Sequence, residues 1–271
     1  MAHMFIFGPG YSAGALAQRL RAEGWRIAAT RRTAGAGALA FEDEAGVLAA
    51  LAQATHILSS VPPEGAADPV LARYGRAIAA APARWVGYLS STGVYGDAGG
   101  AWVDESAPTG RGRRSARAAA DAAWLALRDD VRVFRLPGIY GPGRSPIDRL
   151  RAGMAHRIDA GGQVFSRIYR DDLVDGVCAG MAHGPPGAYN LADDRPAAQE
   201  AVIAHAAALA GLPVPPLVPL AEAGLPPVAR GFYAEHRRIA NGKAKRLLGW
   251  RPRHPDYRAG LAAIAAIAAG G

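Results

Sequence analysis

The chain has little sulfur chemistry to offer: its 271 residues include one cysteine, Cys178, so no internal disulfide can form and a reducing, cytoplasmic setting is expected. It lacks any apolar run long enough to span a bilayer, and no membrane association is expected. The opening MAHM, read as a tag remnant, leads directly into an apolar strand. No charged n-region, long h-region or small-residue cleavage site precedes that strand, so no targeting is expected. The net charge of +8 comes without a lysine-rich tail and without aromatics interleaved among the basic residues, which argues against a nucleic-acid partner. The seven histidines show no HxxxH, HxxE or cysteine-partnered spacing, so no metal site is expected. No GxSxG elbow occurs, which disfavours a serine nucleophile.

What is present is an alternation. Short apolar runs at 4–7, 26–30, 38–41, 56–61, 85–91 and 131–136 are separated by alanine-rich helical patterns at 13–22, 44–52, 68–81 and 113–127. That order is the signature of βαβ units, and it predicts an α/β fold with a doubly wound parallel Rossmann sheet. From about Gly141 Gly-Pro breaks multiply and the helical patterns at 147–155, 171–181 and 199–210 are scattered. Residues 4–143 are expected to form the nucleotide-binding unit. Residues 144–271 are expected to form mainly a small substrate-covering lobe, interleaved with the last sheet strands. The proline-rich LPVPPLVPL reads as an extended linker across that lobe.

The first strand runs into GPGYSAG, where Gly8, Gly10 and Ala13 have the GxGxxA spacing. Gly8 permits the tight turn, Gly10 lets backbone approach a pyrophosphate, and Ala13 lets the helix pack against the strand. Tyr11 and Ser12 complete the loop, and the helix start supplies amides and a positive dipole end. Roughly 20 residues on, where NAD enzymes place an acid on the ribose 2′-hydroxyl, the chain has Arg31 and Arg32. An arginine pair suits a 2′-phosphate, so NADP(H) is the expected cofactor; the alternative is that both arginines are merely solvated. Ser59, Ser60 and Val61, after the fourth apolar run, are expected to pass the nicotinamide side of the dinucleotide, although serine there equally well caps the strand.

Four further stretches, YLSSTGVYG (88–96), FRLPGIYGPGR (134–144), IYRDDLVDGV (168–177) and AYNLADD (188–194), together with NGKAKRLLGWRP (241–252), resemble the short-chain dehydrogenase/reductase superfamily, in its extended epimerase/dehydratase branch. The resemblance implies that Ser91 is the active-site hydroxyl. It also implies that Asp171 and Asp172 form a helix N-terminal cap pinning the lobe. The Asp-Glu pair of the family's dehydratases is replaced by Thr92 and Gly93, which argues against sugar dehydration. The family's Tyr-x-x-x-Lys registers, through Asp121, onto Arg113 and Arg117.

Arginine cannot replace the phenol as an acid near neutral pH. Arg113 can clamp an anionic substrate and Arg117 can hold ribose hydroxyls or a phosphate. The alternative is a solvated face with Arg117 paired to Asp121. Another donor is then required, and Tyr95 of the VYG triplet is the first candidate and Tyr140 the second, unless both are structural. These readings converge on an NADP(H)-dependent oxidoreductase of the atypical type acting on a small, anionic carbonyl or alcohol. The alternatives are a nucleotide-sugar epimerase with recycled cofactor and a non-catalytic NADP-binding sensor or scaffold. The resemblance also implies a homodimer through the helices near 68–81 and 113–127.

Overall fold

A computed structural model describes residues 2–35, 37–112 and 115–269, the side chains at 228, 268 and 269 excepted. Seven parallel strands form the central sheet. They are β1 (His3–Phe7), β2 (Arg26–Arg31), β3 (Leu39–Ala40), β4 (His56–Ser59), β5 (Trp85–Ser91), β6 (Val131–Leu136) and β7 (Gly187–Asn190). Their order is β7-β6-β5-β4-β1-β2-β3, so the chain winds outward from β1 in both directions, as the alternation predicts. The central strands β1, β4 and β5 are buried almost throughout because helices cover both faces.

On one face lie α1 (Tyr11–Ala22) and α6 (Arg170–Ala182), whose Leu16, Leu20, Leu173 and Val177 meet Met4, Ile6 and Leu89. On the other lie α2 (Glu44–Leu51), α3 (Pro69–Ala80) and α4 (Ser115–Leu127), whose Val47, Tyr74, Ile78 and Trp124 meet Phe5, Phe7 and Tyr88. Burial of each such large side chain contributes about 1.5–3 kcal/mol. Asp68 starts α3 by accepting from the Val70 and Leu71 amides, both at 2.9 Å, and it also receives Trp124 Nε1 at 2.9 Å, tying α3 to α4.

The lobe has its own core, where Ile147 of α5 (Pro146–Arg151) and Val202 of α7 (Gln199–Ala210) pack against Tyr140, Tyr169 and Leu261. β7, far along the chain, nonetheless closes the edge of the central sheet against β6. In the proline-rich segment, Leu217–Pro219 is a short strand parallel to Arg157–Asp159.

The aspartate pair differs from its expected role as a cap. Tyr169 occupies the cap position of α6 without a side-chain hydrogen bond, and Asp171 turns outward to Arg170 at 2.7 Å. Asp172 is fully buried and accepts from the Arg253 amide at 2.9 Å and the His254 amide at 3.0 Å, with His254 Nδ1 also at 3.0 Å. Its carboxylate therefore fastens the C-terminal segment to the helix. Asp172 stands at the third helical position, from which a carboxylate can reach back to the cap residue's amide, but its two oxygens are taken instead by the backbone amides of residues 253 and 254.

Candidate functional site

The carboxyl ends of β1, β2, β4 and β5 open into a cleft of about 1450 Å³, walled on its far side by the lobe. Gly8 leaves β1 with φ +71°, a conformation L side chains rarely adopt, and a Cβ there would lie 2.8 Å from Val61 Cγ2. Its amide donates to Thr30 O at 3.2 Å, and its carbonyl accepts from the Ser60 hydroxyl, so the loop is held from both neighbouring strands. Gly10 is the N-cap of α1. It provides no side-chain cap, and no acid stands in the first turn. A Cβ built on Gly10 would find nothing closer than the Gly8 carbonyl at 4.0 Å, so the backbone there faces open cleft. The helix start presents uncapped amides and the positive end of its dipole to that space, an arrangement suited to a phosphate. Ala13 packs in the core and Ser12 lines the cleft. Tyr11 reaches across to donate to Pro142 O at 3.1 Å, its ring lying under the guanidiniums of Arg144 and Arg170.

Arg31 and Arg32 are exposed at the mouth of the same cleft. Arg32 pairs with Glu64 at 3.1 Å, a solvent-exposed contact worth little. Arg31 has no side-chain hydrogen bond or ion pair with any described residue, so its charge is available to a ligand. Among the described residues, seven arginines and three glutamates line the cleft, and Glu42, Glu64 and Glu235 are bound to Arg73, Arg32 and Arg237 respectively. The field inside is positive.

Ser91 ends β5 and lines the cleft, accepting from the Gly93 amide at 3.1 Å; its hydroxyl proton has no acceptor among the described residues. Ser60 and Val61 line the cleft too, whereas Ser59 is fully buried in β4 and faces the α3/α4 side near Tyr88. Adjacent strand residues point to opposite faces, which separates Ser59 from its neighbour. Arg117 lines the cleft, next to Tyr88, and does not pair with Asp121. Arg113 lies outside the described residues.

Asp121 is taken from behind. Arg135 of β6 grips it with Nε at 3.1 Å and Nη2 at 2.7 Å, and Ser90 donates to it at 2.7 Å. Tyr95 belongs to the same buried network. It is 4% exposed, receives Arg135 Nη1 at 3.1 Å and donates to Asn190 Oδ1 at 2.7 Å, and burial pushes its phenol up to about 12. This placement is structural, and it keeps the phenol out of the cleft. Tyr140 is buried too, in the lobe core beside Tyr169, and burial raises its phenol well above the ordinary tyrosine range.

At the far end of the cleft stand Arg149, Arg167 and Arg237, with Phe165 and Tyr233, while Arg144 lies nearer the nucleotide end, over Tyr11. Sequence reasoning did not single these out as site residues, although Arg144 lies in the GPGR loop and Arg167 just before IYRDD.

No protein-family model matches the chain. Over 99% of both chains it is 44% identical to a functionally unknown conserved protein from Silicibacter pomeroyi DSS, with a TM-score of 0.90. It superposes on the human epimerase family protein SDR39U1, solved with NADPH, at a TM-score of 0.76 and 19% identity, covering 97% of this chain and 99% of that one. Other solved structures of the same fold hold NAD. Over 158 residues, 54% of the chain, it is 32% identical to a 3-diazoavenalumate denitrifying reductase of a Streptomyces species, a match spanning about half (51%) of that relative's length.

Proposed function

The chain belongs to one family with the Silicibacter pomeroyi protein and carries the fold of the extended short-chain dehydrogenase/reductases, and from that premise we propose that it is an NADP(H)-dependent oxidoreductase acting on a small carbonyl or alcohol. The observation that carries the reading is the open Gly8–Gly10 cradle with the unpaired Arg31 at the same cleft mouth. Amides of the α1 start would hold the pyrophosphate, and Arg31 with Arg32 the 2′-phosphate. The cofactor, when bound, supplies or accepts the hydride. Ser60 and Val61 would pack beside the nicotinamide. Ser91 would donate its free hydroxyl proton to the reacting oxygen, and Arg117 would offset negative charge developing there. Protons would then reach the oxygen from solvent through Ser91, since Tyr95 is committed to Asn190.

That commitment also favours a second reading, in which the chain binds NADP without turnover. The two diverge only once the cofactor is bound. Under matched salt, NADPH is expected to bind at least about tenfold more tightly than NADH, with Arg31→Ala erasing the preference. Equal affinities would overturn the NADP assignment, and absence of binding by either would overturn the oxidoreductase reading altogether. Consumption of NADPH with a carbonyl panel then separates catalyst from sensor.

A further inference from the structure

The substrate end of the cleft differs chemically from a sugar site. Its walls are Ile158, Val164, Phe165, Leu225, Phe232 and Tyr233, with Phe165 and Tyr233 meeting edge to face at 5.4 Å. The neutral polar side chains here are few, and two of them already contact backbone. Gln199 accepts from the Ile158 amide at 3.0 Å and donates to His156 O at 2.6 Å, and Ser166 Oγ accepts from the Ile239 amide at 3.0 Å. Glu235 is held by Arg237 at 2.9 Å. Among the described residues here, His156, the Ser166 and Tyr233 hydroxyls and the remaining guanidiniums are left to meet a ligand.

Arg167 is the deepest of those guanidiniums. Its Nη1 donates to Phe165 O at 2.7 Å and to Ala197 O at 2.9 Å, which fixes the plane of the group. Nε and Nη2, the two donors on the opposite edge, have no hydrogen-bond partner among the described residues. That edge is a parallel fork, matched to the two oxygens of a carboxylate. Asp193, whose charge also acts on Arg167, makes no hydrogen bond through either oxygen and no ion pair with it. Arg167 also stands close to the reaction centre in the fold: Ser91 pairs with Leu136, and two residues on Gly138 pairs with Arg167. Arg149, Arg167 and Tyr233 line the same cleft, and the two cations oppose the rise that burial imposes on the Tyr233 phenol.

We propose that the substrate is a small monocarboxylate with an apolar, aryl-bearing body, its carboxylate in the free fork of Arg167 and its body against Phe165 and Tyr233, and that it is not a nucleotide sugar. A sugar here would lay its hydroxylated ring against apolar walls with few neutral partners, whereas an aryl acid matches its charge to the fork and its ring to those walls. The inference rests on the oxidoreductase reading, because it takes Ser91 as the reaction centre.

The test is calorimetric titration of the NADPH-loaded protein with four probes: 3-phenylpropanoate, 3-phenylpropanamide, propanoate and UDP-glucose. Phenylpropanoate should bind tightest. Loss of the charge in the amide and loss of the ring in propanoate should each weaken binding at least about tenfold. Arg167→Gln should bring phenylpropanoate down to the amide's affinity, Arg167→Lys should restore part of it, and NADPH affinity should stay unchanged in both. Equal binding of acid and amide, tighter binding of UDP-glucose, or no binding of phenylpropanoate would each overturn the inference. Because NADPH loading is measured first, failure of the cofactor reading is seen separately.

Discussion

At the nucleotide end of the cleft the contacts come from backbone: an uncapped helix start, a glycine with positive φ, and a carbonyl held by Ser60. At the substrate end they come from side chains carried by the lobe, chiefly Arg167, Phe165 and Tyr233. The first construction depends on the strand-turn-helix unit alone and is shared by proteins of this fold with very different sequences. The second depends on which residues the lobe places there, so specificity can change without disturbing the dinucleotide cradle.

Gly10→Asp is the sharpest way to break the nucleotide end. Aspartate is a good N-cap and the Cβ position is open, so the melting temperature should hold or rise, while the carboxylate takes the phosphate's place and NADPH affinity should fall by about a hundredfold or more. A large loss of stability would mean the loop tolerates less than its open space indicates.

Ser91→Ala set against Tyr95→Phe tests which hydroxyl belongs to the site. The serine variant should lose roughly 10–100-fold in kcat with the fold intact. The tyrosine variant should lose about 1–3 kcal/mol of stability, since Asn190 and Arg135 are left facing a missing oxygen, with kcat nearly unchanged. The reverse pattern would return the acid role to Tyr95.

A smaller effect lies behind the substrate end, at Asp193. Burial pushes its carboxyl up to about 8. The unfolded chain holds the same group near the ordinary value of about 4. A carboxyl raised on folding contributes stability that is whole below the lower value and is lost as the pH climbs through the higher one. Asp193→Asn cannot ionise, so its melting temperature should gain on the parent by roughly 5 °C between pH 5 and pH 9. A gap independent of pH would show that Arg167 already neutralises the carboxylate.

The strands and the cradle were legible because each arises from local pattern: Gly8, Gly10 and Ala13 are spaced by one strand-to-helix turn, and the apolar runs mark sheet strands buried on both faces. The features that were not legible depend on partners far along the chain. Tyr95 finds Asn190, 95 residues later, and nothing in VYG indicates that the turn after Ser91 carries the ring backward into the core. Asp121 looks like an i,i+4 mate for Arg117 until β6 brings Arg135 behind it with two donors in a fixed fork. Arg167 and its aromatic neighbours gave no periodic signal, because short lobe strands and turns have none.

The fastening of Asp172 bears on the order in which parts of the chain can be secured during synthesis. Its three partners are all contributed by residues 253 and 254, more than 80 positions downstream. While translation proceeds, α6 can be made and β7 can close the sheet, yet this carboxylate has none of these bonds until residues 253 and 254 have followed. Ionised and unpaired in that position it disfavours burial. The segment at residues 253 and 254 therefore acts as a latch on α6, set only after the sheet that the helix covers has been made.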